Sequence, residues 1–144
     1  MTRVSREQLE MFLREASEAI SEAKRLVRRD FETFMASLEA RYALRYALIA
    51  FVEAVTDAIT LVLEADHGVA PDSYREAVLL AAEKGIIPYS LAERLVKLVS
   101  LRNMLVHRYW RIDDARLYRE TRENVTYAKS ILEALKKYVE TIDP

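Results

Sequence analysis

Residues 102–110 read RNMLVHRYW. They contain an arginine, an asparagine, one of only two histidines, a tyrosine and the only tryptophan of the chain. Histidine moves a proton near neutral pH. Arginine holds a phosphate and stabilises charge as it builds on phosphoryl oxygens. Together these types suit phosphodiester chemistry that requires no metal. Asn103 and His107 are four apart and can share a helix face. Arg102 precedes His107 by five, about 140° around an ideal helix, and its long side chain can still swing into the same groove. A plainer reading is open too. His107 and Arg108 could satisfy the last carbonyls and the dipole of a helix end, while Tyr109 and Trp110 cover the end of a bundle. Local charge favours the chemical reading. Between residues 102 and 122, Arg102, Arg108, Arg111, Arg116, Arg119 and Arg122 face only Asp113, Asp114 and Glu120, in a chain of net charge −1. Such a patch attracts anions, and Arg108, Arg111 and Arg116 are its candidate substrate-binding members.

The elements that must position these residues are helices. Two glycines and three prolines in 144 residues leave few breakers, which argues against a sheet with many turns. Five helical segments are expected. The first starts near Ser5, with Gln8 completing a capping box, and carries Leu9, Phe12, Leu13, Ala16 and Ile20 at helical spacing. Lys24, Arg25, Arg28 and Arg29 sit in its last turns. The second runs from Asp30 to about Asp66, stopped by Gly68. The third begins after Pro71 and Asp72 and ends near Gly85. Pro88 keeps the link GIIPYS out of helix. The fourth opens at Ser90 with Glu93 as capping partner and runs through Trp110. The fifth begins at Asp113 or Asp114 and reaches about Ile142. The expected architecture is an all-α antiparallel bundle of four or five helices, one domain over residues 1–144.

Several function classes are set aside by composition. The chain has no cysteine, so disulfide and thiolate-metal frameworks are impossible, and a cytoplasmic protein is expected. The N-terminal MTRVSREQLEMFLREA has no apolar signal-peptide core. The apolar stretch Tyr42–Leu63 is interrupted by Arg45, Glu53 and Asp57, and reads as a buried central helix rather than a membrane span. Gln8, Asn103 and Asn124 are the only side-chain amides, a scarcity that suits a thermophile. Glu64 and His67 form the Glu-x-x-His pair of di-iron bundles, but Met104 stands three before the other histidine, so the second half of the set is missing and no metal site is expected. Arg41, Arg45, Ile49, Glu53 and Asp57 step by four along one ridge. A solvated stripe is the ordinary reading of such a row, and a cleft lining or partner surface is the alternative.

The segment Arg102-Asn103-Met104-Leu105-Val106-His107 resembles the R-x4-H signature of HEPN-domain ribonucleases, including the polar residue after the arginine. Tyr109 extends it to R-x4-H-x-Y. The run RNMLVHRYWRIDD is similar to the corresponding segment of HepT-type toxins, the former "domain of unknown function 86" group. The likeness extends from about Arg41 to Tyr138, through APDSYREAVLLAAEKGII. It implies a metal-independent, cofactor-free ribonuclease acting as the toxin of a toxin–antitoxin pair. It also implies a homodimer that brings two motifs together, and an antitoxin resembling the minimal nucleotidyltransferase MntA that attaches AMP to the motif tyrosine, here Tyr109. By this likeness Arg102 and His107 are catalytic, with Asn103 orienting His107 or the phosphate. A dimer has a physical rationale. Attack by a 2′-OH needs one group to take a proton and another to give one, and each chain offers one suitable histidine. Two rivals remain at this point. One is a non-catalytic helical module that binds a nucleotide beside a separate nucleotidyltransferase, and the other is a structural helical dimer.

Overall fold

A computed structural model describes residues 3–142, with side chains from Arg6 onward. Side-chain caps mark the starts of the helices that follow Asp30, Ser37 and Ser73. α1 (Arg3–Val27) buries Leu9, Leu13, Ala16, Ile20 and Ala23. Because α1 already runs from Arg3, Ser5 lies inside the helix rather than at its cap, and its side chain falls outside the described residues.

The expected second helix is two helices. α2 (Phe31–Ala36) is capped by Asp30, whose carboxylate accepts from the Thr33 N–H at 3.1 Å. At Ser37 the chain turns extended (φ −103°, ψ 108°) before α3 (Leu38–His67) begins. Ser37 serves both helices. Its N–H donates to the Phe34 carbonyl at 3.1 Å, and its hydroxyl accepts from the Ala40 N–H at 3.1 Å. A serine that can cap competes with continued helix, and the break allows Phe34 to turn inward. Phe34 is fully buried against Tyr118, ring centroids 5.0 Å apart. The Tyr118 hydroxyl donates to the Arg29 carbonyl, which ties this corner to the end of α1.

α3 ends at Gly68, which adopts the left-handed conformation (φ 64°) that glycine enters without a Cβ penalty. α4 (Tyr74–Glu83) is capped by Ser73. α5 (Tyr89–His107) follows Pro88, and no side chain caps it, so Ser90 and Glu93 do not form the expected box. α5 also stops earlier than expected. Tyr109–Arg111 form a single 3-10 turn, and α6 (Asp114–Ile142) starts where Asp113 accepts from the Ala115 and Arg116 N–H groups.

α3 is the one helix that packs against all the other described α-helices. It is long and apolar enough by composition to cross a membrane, but most of that apolar stretch is buried within the fold. Its Leu44, Phe51, Val55, Ile59 and Leu63 are fully buried. Arg45 meets Asp114 at the start of α6, and His67 meets Tyr138 near the end of α6, so α3 and α6 run parallel. α1 and α5 run opposite to both, which gives an up-down-up-down bundle with α4 beside α3 and α5.

The charged row on α3 is not a solvated stripe. Arg45 donates from Nε and Nη2 to the two carboxylate oxygens of Asp114, at 2.8 and 2.7 Å. Arg41 reaches the same group at 3.4 Å. The Asp114 side chain is only 5% exposed. Two arginines thus hold a buried carboxylate at the junction of α3, the 3-10 turn and α6. His67, the other histidine, bonds the Tyr138 hydroxyl at 2.8 Å and lies 3.2 Å from Asp66, which closes the opposite end. Burial and the Asp66 hydrogen bond push Tyr138 up to about 12.

Removing a partner from a buried pair costs more than the pair itself contributes. Asp114→Ala is expected to lower unfolding stability by about 3 kcal/mol in urea denaturation. Glu120→Ala, which breaks the exposed Arg116–Glu120 pair, is expected to change it by less than about 1 kcal/mol.

Candidate functional site

The last two turns of α5 lie where the α3 ridge presents its pair of acids, Glu53 and Asp57. Arg102 donates from Nε and Nη2 to one oxygen of Glu53, at 3.1 and 2.8 Å. Its Nη1 donates to the Asn103 side-chain oxygen at 3.1 Å, and its guanidinium stands 5.0 Å from the centre of the Tyr74 ring on α4. Three helices therefore fix one arginine, which is mostly buried. Each nitrogen of the fork makes one bond, and the remaining N–H groups of Nη1 and Nη2 are not used by these partners. Asn103 is a holder of Arg102 here, not of His107.

Asp57 lies one turn beyond Glu53 on α3. Burial raises its pKa, and the nearby Glu53 and Glu15 carboxylates raise it further, against the opposing pull of Arg102. Tyr74 is also pushed up, first by burial and then by Asp57 and Glu53. Two carboxylates, Glu53 and Asp57, thus stand on α3 near the single guanidinium of Arg102. Of these neighbours the sequence singled out Glu53 and Asp57 only as members of the stripe. Tyr74 gave no signal.

His107 is the last residue of α5 and is exposed. Its side chain makes no hydrogen bond or ion pair among the described residues, which leaves both ring nitrogens open. The chain then leaves the helix through Arg108, whose N–H donates to the Met104 carbonyl at 2.8 Å. Tyr109 and Trp110 are 63% and 67% exposed and meet edge to face, 5.4 Å between centroids. They do not cover the end of the bundle, so Trp110 is not packing within this chain. Tyr42, Tyr46, Met104 and Val106 are exposed as well. The pairings of Glu53 with Arg102 and of Arg45 with Asp114 place Tyr42 and Tyr46 at the same end as Tyr109.

The arginine patch is smaller than its count suggests. Arg102 is paired with Glu53, and Arg116 with Glu120 at 2.8 Å. Arg119 lies over Phe31, and Arg122 donates to the Tyr118 hydroxyl. The side chains of Arg108 and Arg111 keep their charge uncommitted among the described residues.

Because the folded state disfavours ionised Asp57, that charge costs stability at neutral pH, and the cost disappears once the group is protonated. Asp57→Asn is expected to raise Tm at pH 7, with the gain lost below the ordinary aspartate value of 3.8. Thermal denaturation of both forms across this range tests the sign.

The chain resembles known proteins along most of its length. The family model described as Ribonuclease HepT-like matches residues 16–142. A protein from Archaeoglobus fulgidus named "Putative RNase" is 31% identical over 99 residues, which span 69% of this chain and 74% of that protein. The fold is similar to a tri-AMPylated HEPN toxin of Shewanella oneidensis solved in complex with MNT antitoxin. That match has a TM-score of 0.82 and 18% identity, covering 95% of this chain and 99% of the toxin. A cytosolic protein of unknown function from Bacillus subtilis has the same fold, with a TM-score of 0.81 and 20% identity over 96% of this chain and 92% of its own. The R-x4-H-x-Y segment, the helical bundle that presents it and the extent of the family match lead to one conclusion: the chain belongs to the HepT-like ribonuclease family.

Proposed function

We propose that the chain is the toxin of a toxin–antitoxin pair and cleaves RNA without a metal, at a site composed of two protomers. The observation that carries this reading is the contrast within one motif. Arg102 is locked by Glu53, Asn103 and Tyr74, while His107, five residues on, is exposed and uncommitted. A fixed cation suits phosphate binding, and an open imidazole suits proton transfer.

In the proposed reaction, His107 of one protomer takes the 2′-OH proton as O2′ attacks phosphorus. The bond from phosphorus to O5′ breaks, and the protonated His107 of the second protomer gives its proton to O5′. The free N–H groups of the two Arg102 side chains stabilise charge on the non-bridging oxygens. The exposed Tyr42, Tyr46, Met104, Val106 and Trp110 beside the motif support the second protomer, since so many large apolar groups rarely face water on a monomer. Arg108 and Arg111, whose charges are uncommitted, extend the site as a substrate-binding patch, while the third expected member, Arg116, is held by Glu120.

The partner in this reading is an MNT-type nucleotidyltransferase, supported by the fold shared with the HEPN toxin solved beside one. Tyr109 is its target. An AMP added to this exposed hydroxyl would place bulk and negative charge next to His107 and exclude the RNA backbone.

Purified protein is expected to cleave RNA in EDTA. His107→Ala should lower the rate by about 10²- to 10⁴-fold without changing Tm, because the side chain supports nothing else. Full activity in His107→Ala contradicts the reading. Intact RNA with nucleotide still bound supports the rival non-catalytic module instead. After co-expression with the cognate nucleotidyltransferase, peptide mass spectrometry is expected to find AMP increments on Tyr109, and Tyr109→Phe to escape silencing. Increments on any other residue contradict that assignment.

A further inference from the structure

A groove of about 490 Å³ runs between α5 and α6, bordered by Arg111 just past the motif tyrosine. We propose that it binds a short single-stranded run of nucleotides, a proposal that rests on RNA being the substrate class. The floor is apolar, with Leu98, Leu101 and Val125 each half-buried and Phe51 beneath. At the far end the Arg94 guanidinium stacks 3.9 Å over the Tyr127 ring and donates to the Asn124 side-chain oxygen at 3.0 Å. That arrangement is a flat π-platform with a positive charge on it, and stacking on such a platform holds a base of any identity.

The rim supplies charge for phosphates. Lys97 and Arg111 have no side-chain partner among the described residues, and Arg94 has no carboxylate partner. Of the three acids on the rim, Asp113 is occupied by the N-terminal N–H groups of α6, and Glu120 is paired with Arg116. Glu123 alone remains. Cations are therefore available along the groove while most of the acids are committed. From Arg94 to Met104 the groove follows about 15 Å of helix, room for roughly four stacked nucleotides at about 3.4 Å each. Its near end lies two residues from Tyr109, so two sources of the strand fit the same chemistry. One is the flank of the RNA substrate, and the other is a chain of AMP units grown on Tyr109.

The test uses the full-length His107→Ala protein, so that RNA stays intact, and a 5′-fluorescein tetra-adenylate read by anisotropy. Lys97→Glu and Tyr127→Ala, both exposed positions that leave the core untouched, are each expected to weaken binding about tenfold. Lys84→Glu, at an exposed position outside the groove and the motif, is expected to weaken it far less. A second measurement uses a photoreactive adenylate probe on the same protein, which should crosslink within residues 94–104 or 124–128. Unchanged affinity in both groove variants, or crosslinks confined to residues outside these segments, overturns the proposal. In protein carrying AMP on Tyr109, protection of Lys97 from acetylation without added adenylate assigns the groove to the tyrosine-linked chain, whereas protection of Lys97 only when adenylate is added to unmodified protein assigns it to the substrate strand. Because cleavage is not measured, loss of the nuclease reading leaves these outcomes interpretable. Groove binding without cleavage in the wild type keeps the inference and removes only the reaction.

Discussion

The structure depends on charges taken partly out of water along one ridge of α3. A helix that is apolar enough to be surrounded by the other five carries Arg41, Arg45, Glu53 and Asp57 on a row that steps by four and is interrupted only by Ile49. Such charges are tolerated only where opposite charges reach them. Asp114 satisfies the two arginines and so fixes where α6 must start. Arg102 satisfies Glu53 and so fixes how the end of α5 lies on α3. Asp57 has no comparable partner, and burial, with the Glu53 and Glu15 carboxylates nearby, raises its pKa. One ridge therefore sets both the register of the bundle and the position of its motif.

This arrangement explains why the motif residues behave so differently. Arg102 points into the fold and is part of the mechanism that holds α3, α4 and α5 together. His107 lies about 140° around from Arg102 on an ideal helix and projects where the helix ends and support stops. The 3-10 turn that follows lifts Tyr109 and Trp110 into solvent. A fixed guanidinium, an uncommitted imidazole and an accessible hydroxyl thus come from eight consecutive residues, because a helix terminus changes the environment from buried to open within two turns. In the proposed reaction the incomplete half is the acid–base pair, and the exposed aromatic surface beside it is suited to bring a second copy.

Much of this could be read from the sequence, and the failures have specific physical origins. Gly68 and Asp113 act where their types predict, because left-handed backbone and N-terminal capping are local properties. Ser37 was missed because a serine within an apolar-periodic run gives no sign of whether its hydroxyl will cap or point to solvent. The α3 ridge was misread as solvated because the carboxylate that pairs with its arginines lies 69 and 73 residues away. Arg102, Asn103, His107 and Tyr109 stand out in the sequence because residue types suited to one chemistry are compressed into one helix end, and the roles given to them belong to the proposed reaction. Tyr74 was invisible, since its role comes only from where α4 lands. The same holds for the α5–α6 groove, whose walls meet only after two antiparallel helices align residues 94–104 with 113–128.

The central claim is that each catalytic centre needs His107 from two protomers. Mixed dimers test it most directly. Wild-type and His107→Ala chains are combined at varied ratios under conditions that exchange protomers, and RNA cleavage is measured against the wild-type fraction. The account predicts activity that falls with the square of that fraction, because a heterodimer lacks either the base or the acid. Activity that falls in direct proportion to the wild-type fraction would show that each protomer works alone and would contradict it.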